Sequence, residues 1–153
     1  MGYVEKVLQP EESVIYKTTV HWFVYLHACL WGALALVAFI VSMRFDSTGA
    51  SVMQWIALAL LIVAVLMALV AWIRRITTEL AITSRRIIYK SGLLKRTTFE
   101  LNRSSVESVN VEQSVLGRLL GYGHVELKGT GTSSQHMPLI HDPLQFRSHI
   151  TAG

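Results

Sequence analysis

The chain has 153 residues, a net charge of +4 and 52% hydrophobic residues. Its one cysteine, Cys29, excludes a disulfide framework and a cysteine-based zinc site. His136, His141 and Asp142 could meet as metal ligands, but polar loop positions exposed to solvent are the better interpretation. The sequence carries no recognisable catalytic motif. We therefore expect a non-catalytic protein with no metal, no cofactor and no nucleic-acid partner.

Two apolar runs, residues 22–43 and 52–73, dominate the chain. Neither run contains Asp, Glu, Lys or Arg. About 20 apolar residues, rising 1.5 Å each, cross the ~30 Å hydrocarbon core of a bilayer. The two runs therefore predict a transmembrane helical hairpin.

Basic residues on either side of the hairpin predict its orientation. Lys6 and Lys17 precede it and Arg74-Arg75 follow it, whereas the inter-helix loop 44–51 contains only Arg44. Cationic flanks stay on the cytoplasmic side of a membrane. We therefore predict a multi-pass protein with both termini in the cytoplasm and the loop outside.

The remainder of the chain alternates apolar and polar residues with a period of two, as β-strands do. After it, Asp142 is a candidate N-cap and Pro143 a candidate first residue of a helix through Ile150. Residues 116–120 are predicted to form a short apolar turn. Strands with frequent turns, closed by one helix, predict a small antiparallel sandwich or barrel. The predicted strands are 78–83, 86–90, 96–101, 106–113, 123–128 and 135–140.

The N-terminal segment has two interpretations. Residues 13–21 also alternate with a period of two, so they could add an edge strand to the C-terminal sheet. They could equally form an extended segment at the membrane interface. We divide the chain into an N-terminal segment (1–21), a hairpin (22–75) and a β-rich domain (76–153).

Two runs resemble a known family. Residues 79–93 read ELAITSRRIIYKSGL and residues 106–123 read VESVNVEQSVLGRLLGYG. Together with the hairpin, they resemble the bacterial pleckstrin-homology (PH) domains of small two-helix membrane proteins. The resemblance implies a transmembrane hairpin joined to a PH-like domain of two antiparallel sheets and a C-terminal helix. It also implies a bacterial plasma (inner) membrane location, and it implies no activity because a fold does not fix a function.

Connectivity predicts a membrane-docking surface. A first strand of about six residues carries the chain roughly 20 Å from the membrane, so alternate turns of a meander return to it. Both returning turns combine leucines with cations, which suit an anionic inner leaflet. Alternatively, the leucines cap the end of the barrel and the charges are ordinary surface. The predicted docking residues are Lys90, Leu93, Leu94, Lys95, Arg96, Leu116, Arg118, Leu119 and Leu120.

A second hypothesis concerns protein partners. Arg85 and Arg86 lie at a turn that the same parity places far from the membrane, where they would meet an acidic partner. A free sheet edge would also allow strand pairing with a membrane-protein partner or a second copy of the chain. The sequence thus predicts a scaffold on the inner leaflet, with an oligomerisation module lacking lipid recognition as the alternative.

Overall fold

The computed structural model describes residues 3–45, 47–93, 96–131 and 134–151. Two compact units divide the chain. Residues 24–73 form a helical unit, and the chain through Phe23 joins the chain from Arg74 onward in a β unit. The helical unit is therefore an insertion in the sequence of the β unit.

Two long apolar helices make up the helical insertion. A 3-10 turn, Trp22–Tyr25, leads into α2 (Leu26–Ser42), and α3 runs over Ser47–Thr77. The helical spans Trp22–Ser42 and Thr48–Thr77 are long and apolar enough to cross a membrane, with mean hydropathies of 2.2 and 3.1. Most of the predicted loop 44–51 is wrong, because α3 already begins at Ser47. A run without charged residues shows where the chain is apolar, and it does not show where a helix begins. No proline interrupts the helix at that point, so it can extend beyond the apolar run.

Small residues line the contact between the two helices. The buried apolar side chains of the helical unit are all alanines, and a Cβ added at Gly32 would lie 4.0 Å from the Ala64 Cβ. Small residues allow helix backbones to approach closely. The larger apolar side chains consequently point outward. The buried alanines are Ala28, Ala35, Ala57, Ala64 and Ala71.

The β unit consists of two antiparallel sheets and short helices. The first four strands form one sheet and the last three form the other, and in each sheet the strands lie side by side in chain order. All six predicted strands and the C-terminal helix are confirmed, with small shifts at their ends. The strands are β1 (Val14–Thr18), β2 (Glu79–Thr83), β3 (Arg86–Ser91), β4 (Thr97–Asn102), β5 (Val106–Glu112), β6 (Tyr122–Gly129) and β7 (Ser134–His141). The helices are α1 (Tyr3–Val7), α4 (Val115–Leu120) and α5 (Pro143–Thr151).

The N-terminal segment belongs to the first sheet. β1 pairs antiparallel with β2, with Thr18 opposite Leu80. Just beyond β1, Val20 bridges to Ile140, and the His21 N–H donates to the Leu139 carbonyl at 2.7 Å. This short stretch joins both sheets, which decides between the two interpretations in favour of an edge strand.

The core lies between the two sheets. Alternate residues of β2 and β3 face alternate residues of β6 and two residues of β7 on either side of a register shift, and α5 closes the space with Phe146. Period-two alternation places one face of each strand in this core. The buried members are Leu80, Ile82, Ile87, Tyr89, Val125, Leu127, Met137, Ile140, Phe146 and Ile150.

The short helix α1 covers the outer face of the first sheet. Val4 is buried against Ala81 and Ile88, which point away from the main core. The Glu79 carboxylate accepts hydrogen bonds from the N–H groups of Tyr3 and Val4, at 3.0 and 3.3 Å. A carboxylate at a helix N-terminus satisfies free amides and the helix dipole. These contacts therefore stabilise a helix of only five residues, which would be unstable in isolation.

A buried ion pair fastens the chain that follows α1. Nε and Nη2 of Arg86 donate to the two Glu12 carboxylate oxygens at 3.1 and 3.0 Å, and Nη1 donates to Glu100 at 2.6 Å. The Thr83 hydroxyl also donates to Glu12, at 2.6 Å. Burial alone would raise the pKa of Glu12, but these hydrogen bonds and the Gln9 N–H lower it to about 2. The N-terminal segment is thus tied to β2 and β3 by charge as well as by packing.

Replacing Glu12 tests this tie. Glu12→Gln leaves the Arg86 guanidinium buried without its main counter-charge, and such losses cost about 3 to 5 kcal/mol. Hydrogen exchange of the β2 and β3 amides in the full chain would measure the change in opening free energy. Glu11→Gln is the matched control, because Glu11 is exposed and should change stability by less than about 0.5 kcal/mol. Equal exchange in both variants would contradict a stabilising role for the Glu12 pair.

Candidate functional site

Helix α4 is the centre of the candidate site. The Ser114 hydroxyl accepts a hydrogen bond from the Gly117 N–H at 3.0 Å, which caps the first turn. Gly121 ends the helix with φ 74° and donates its N–H to the Gly117 carbonyl. The prediction of a plain turn here is therefore wrong, because a cap at each end closes a helix of six residues.

The burial pattern of α4 is the reverse of that of an ordinary surface helix. Gly117 faces the β unit, where an added Cβ would lie only 2.6 Å from the Tyr122 carbonyl oxygen. Val115 and Leu119 are 84% and 81% exposed, and Leu116 is 57% exposed. A helix of a soluble domain normally buries its large apolar residues. Here the glycine is buried and the large side chains are displayed.

Aromatic rings surround the point where the chain leaves the β unit. The Phe23 ring stacks on Tyr122, with centroids 4.2 Å apart and planes at 22°. Behind it, the buried His21 ring lies 5.4 Å from Tyr122 and 5.3 Å from His141. Tyr122 directly follows the Gly121 cap of α4. The exposed leucines therefore lie at the end of the β unit from which the chain departs at Phe23.

His21 has a pKa below its usual value. Burial is the main cause, and the like charges of His141 and Arg75 add to it, while Asp142 and a hydrogen bond with the Leu120 backbone oppose it. Its Nδ1 accepts the Phe23 N–H at 3.2 Å, which requires that this nitrogen be unprotonated. A neutral imidazole therefore fixes the departing chain against α4.

The turn between β3 and β4 supplies the other predicted docking residues. Leu93 is exposed, as is Arg96, whose guanidinium carbon lies 5.9 Å from the Tyr3 ring centroid. Lys90 is largely buried, with Nζ 3.7 Å from Glu79 Oε1 and 5.1 Å from the same ring centroid. Lys90 thus supports α1 and offers no free charge to a membrane. The predicted docking residues Leu94 and Lys95 lie outside the described residues.

The two arginines predicted to bind a partner, Arg85 and Arg86, lie in different environments in the structure. Arg86 is 13% exposed, and its hydrogen bond with Glu12, which outweighs the opposing effect of burial, raises its pKa. Arg85 is 55% exposed, and its pairing with Glu11 spans 3.9 Å. Arg86 is paired inside the fold. Of these two arginines, therefore, only Arg85 can contact a binding partner.

Metal ligands do not converge within the described ranges. No group of three or more His, Cys, Asp or Glu side chains there could hold a metal ion. His141 Nδ1 lies 2.9 Å from Asp142 Oδ2, and the His124 and His136 rings stack 5.6 Å apart. Asp142 has φ 47°, and its carbonyl accepts the Phe146 N–H, so its backbone begins α5 while its carboxylate pairs with the histidine.

Two packed antiparallel sheets closed by a C-terminal helix define a PH-like sandwich. A family model described as "Bacterial PH domain" matches residues 23–152, which include both apolar helices, β2 to β7 and α5. The chain belongs to the bacterial PH domain family. No curated protein and no solved structure matches it. The family match suggests a non-catalytic domain.

A larger residue at position 117 should destabilise α4 without removing any of its exposed side chains. In Gly117→Ala the new methyl group meets the Tyr122 carbonyl, and such overpacking costs about 1 to 3 kcal/mol. We expect faster hydrogen exchange over residues 115–120. Leu119→Ala is the control, because its side chain is exposed and its loss should leave that exchange unchanged. Protection in Gly117→Ala equal to that of the parent chain would refute the close packing.

Acid should loosen the aromatic contacts around His21. Because its folded pKa lies below the unfolded value of about 6.5, the unfolded chain binds more protons, so stability falls as pH decreases through that value. Melting of the detergent-solubilised chain, followed by near-UV circular dichroism, should show this loss. In His21→Asn, an amide oxygen can accept the Phe23 N–H without titrating, so this part of the pH dependence should disappear. An unchanged pH profile in that variant would rule out His21 as the source.

Proposed function

We propose that this chain is a non-catalytic membrane protein whose PH domain docks on the cytoplasmic face of the bacterial inner membrane. Its two apolar helices form the transmembrane hairpin, both termini are cytoplasmic, and the β unit acts as a scaffold there. The observation that carries the proposal is the display of large apolar side chains on the doubly capped helix α4. We name the docking face by its exposed described residues: Leu93, Arg96, Val115, Leu116, Arg118, Leu119 and Leu120.

The composition and packing of the helices support the anchor. Only 11% and 17% of their most apolar windows are buried, whereas the core helix of a soluble protein is mostly buried. Trp22 and Trp72 lie near the ends that adjoin the β unit, where amphipathic rings favour lipid headgroups. Arg74 and Arg75 in the last turn of α3 favour a cytoplasmic end.

Energetics support docking by the leucines. Fully burying a Leu or Val side chain contributes about 1.5 to 3 kcal/mol, and a surface-near arginine contributes about 1 kcal/mol on an anionic leaflet. A few such residues suffice, because the covalent anchor already holds the domain near the bilayer. Arg96 and Arg118 are both exposed beside apolar residues of the docking face. Apolar contact thus supplies most of the affinity and the cations add a preference for anionic lipid.

Fluorescence quenching in proteoliposomes tests docking. The native cysteine is changed by Cys29→Ser, and an environment-sensitive dye is attached through Leu119→Cys or, as the control, through Ser104→Cys at another turn. Brominated lipid should quench the dye at 119 strongly and the dye at 104 weakly. Adding Arg96→Glu and Arg118→Glu should weaken quenching at 119 on anionic vesicles, whereas Arg147→Glu on α5 should not.

The same dyes distinguish the alternative function. A dye at 119 shielded from brominated lipid and also from aqueous iodide would indicate contact with protein, as an oligomerisation module requires. Equal quenching by iodide at 119 and 104 would mean that α4 is free in solvent. Either of these two results would overturn membrane docking.

A further inference from the structure

A second surface lies at the opposite end of the first sheet. β2 begins at Glu79 and ends at Thr83, and five strand residues span roughly 17 Å. The turn at Ser84 and Arg85 is therefore far from the end where the chain returns at Arg74. There it borders a cavity of about 490 Å³, which we call the distal pocket. Its lining residues are Ser84, Arg85, Asn102, Arg103, Ser104 and Ile150.

Two hydrogen-bonded turns form the walls of the distal pocket. The Arg103 N–H donates to the Arg85 carbonyl at 3.0 Å and so ties the β4–β5 turn to the β2–β3 turn. The Ser84 N–H donates to the Ser13 carbonyl at 2.9 Å, and the Arg85 N–H donates to the Thr83 hydroxyl at 3.3 Å. The pocket is consequently built from backbone that the fold already holds in place.

Among the described residues, Arg103 is held in position without a neutralising carboxylate. Its Nη2 donates to the His149 and Ile150 carbonyls at 2.8 and 3.4 Å, at the C-terminal end of α5. Its Nε is buried and has no hydrogen-bond partner among the residues that the structure describes. A buried, unsatisfied N–H on a charged group is costly and calls for an acceptor. The guanidinium therefore places a positive charge beside the pocket, fixed in position by its contacts with α5.

Arg85 supplies a second guanidinium on the same pocket. Within the described residues its one ion pair is the 3.9 Å contact with Glu11, whose side chain is 89% exposed. Exposed pairs of this kind contribute about 0 to 1 kcal/mol and are easily exchanged for a better partner. In the part of the chain that the structure describes, the pocket lining contains two arginines, two serines and an asparagine but no acidic residue. Guanidinium forks bind carboxylates in bidentate geometry.

We propose that the distal pocket binds an acidic peptide segment of a protein partner, with a carboxylate between Arg85 and Arg103. The pocket's charge and volume suit an acidic side chain with its neighbouring backbone, and its serine and asparagine groups can bond that backbone. The choice of a protein over a lipid rests on the proposed function: a domain docked through α4 turns this end away from the bilayer. The PH domain would then hold a cytosolic partner at the membrane.

Peptide binding to the full chain in nanodiscs of neutral phosphatidylcholine tests the proposal. The probes are a fluorescein-labelled peptide of alternating glutamate and glycine and the matched glutamine peptide, followed by anisotropy. We expect the glutamate peptide to bind in a salt-sensitive manner and the glutamine peptide not to bind. Arg85→Gln and Arg103→Gln should each weaken binding about tenfold, in line with the loss of one charge-assisted hydrogen-bonded pair.

Controls separate the outcomes. Arg103→Gln removes contacts to α5 and could unfold the domain, so Arg85→Gln, whose side chain is exposed, decides the result. Arg147→Gln and Arg118→Gln should bind the peptide like the parent chain. Equal binding of the two peptides, or undiminished binding by Arg85→Gln, would overturn the site. Displacement by inorganic phosphate as effective as by free peptide would assign a small anion instead of a protein.

The two proposals can fail independently. Arg85→Gln should leave quenching of the dye at position 119 unchanged, and Arg118→Glu should leave peptide binding unchanged. Peptide binding without quenching at 119 would remove the membrane docking and retain the pocket. Quenching without peptide binding would do the reverse.

Discussion

The pairing of β1 with β2 is the constraint on which the rest of the structure depends. These strands are neighbours in one sheet, yet the entire helical insertion lies between them in the chain. Closing a longer loop costs little extra entropy, about 0.6 kcal/mol for each doubling of its length. Hydrogen bonds of the ladder, the burial of Val4 and the Glu12–Arg86 pair offset that cost. A fragment beginning at Thr77 would lack all three and would leave Arg86 without its main carboxylate partner.

Close packing and capping of its backbone explain why an apolar face can persist on α4. The glycine at position 117 and the caps at Ser114 and Gly121 fix this helix through its backbone, so its large side chains are not needed for packing. Exposed apolar patches on a folded domain usually mark an interaction surface. Local rules of burial are broken here while neighbouring rules of capping and close packing are obeyed, which is the pattern expected at a functional surface.

Sequence reasoning predicted what depends on short-range pattern and missed what depends on distant partners. Period-two alternation and turn residues gave the six strands of the C-terminal part, and Asp142-Pro143 gave the start of α5. Helix α1 was missed because its N-terminus is capped by Glu79, far along the chain. The run of basic residues alone could not show that Lys90 pairs with Glu79 and that Arg86 pairs with Glu12.

Part of the candidate site was visible in advance for the same reason. The leucines of α4 lie in one short stretch, so their apolar character beside Arg118 could be read directly. Arg103 could not be found, because its importance comes from contact with the end of α5 and from a buried Nε that lacks an acceptor. The role of Arg103 is indicated only by the contact between two turns. That contact cannot be predicted until it is known which strands are neighbours.

Neighbouring arginines show how the fold assigns different roles to similar residues. Arg86 begins β3 and points toward Glu12, so its charge holds the N-terminal segment in place. Arg85 lies one position earlier in the turn and stays exposed beside Arg103. Helix α5 begins beside the His141–Asp142 pair and ends on Arg103, so its nine residues span about 13 Å. A rigid helix of this kind sets a fixed distance between the departing chain and the distal pocket, which is what the proposed scaffold between a membrane and a partner would require.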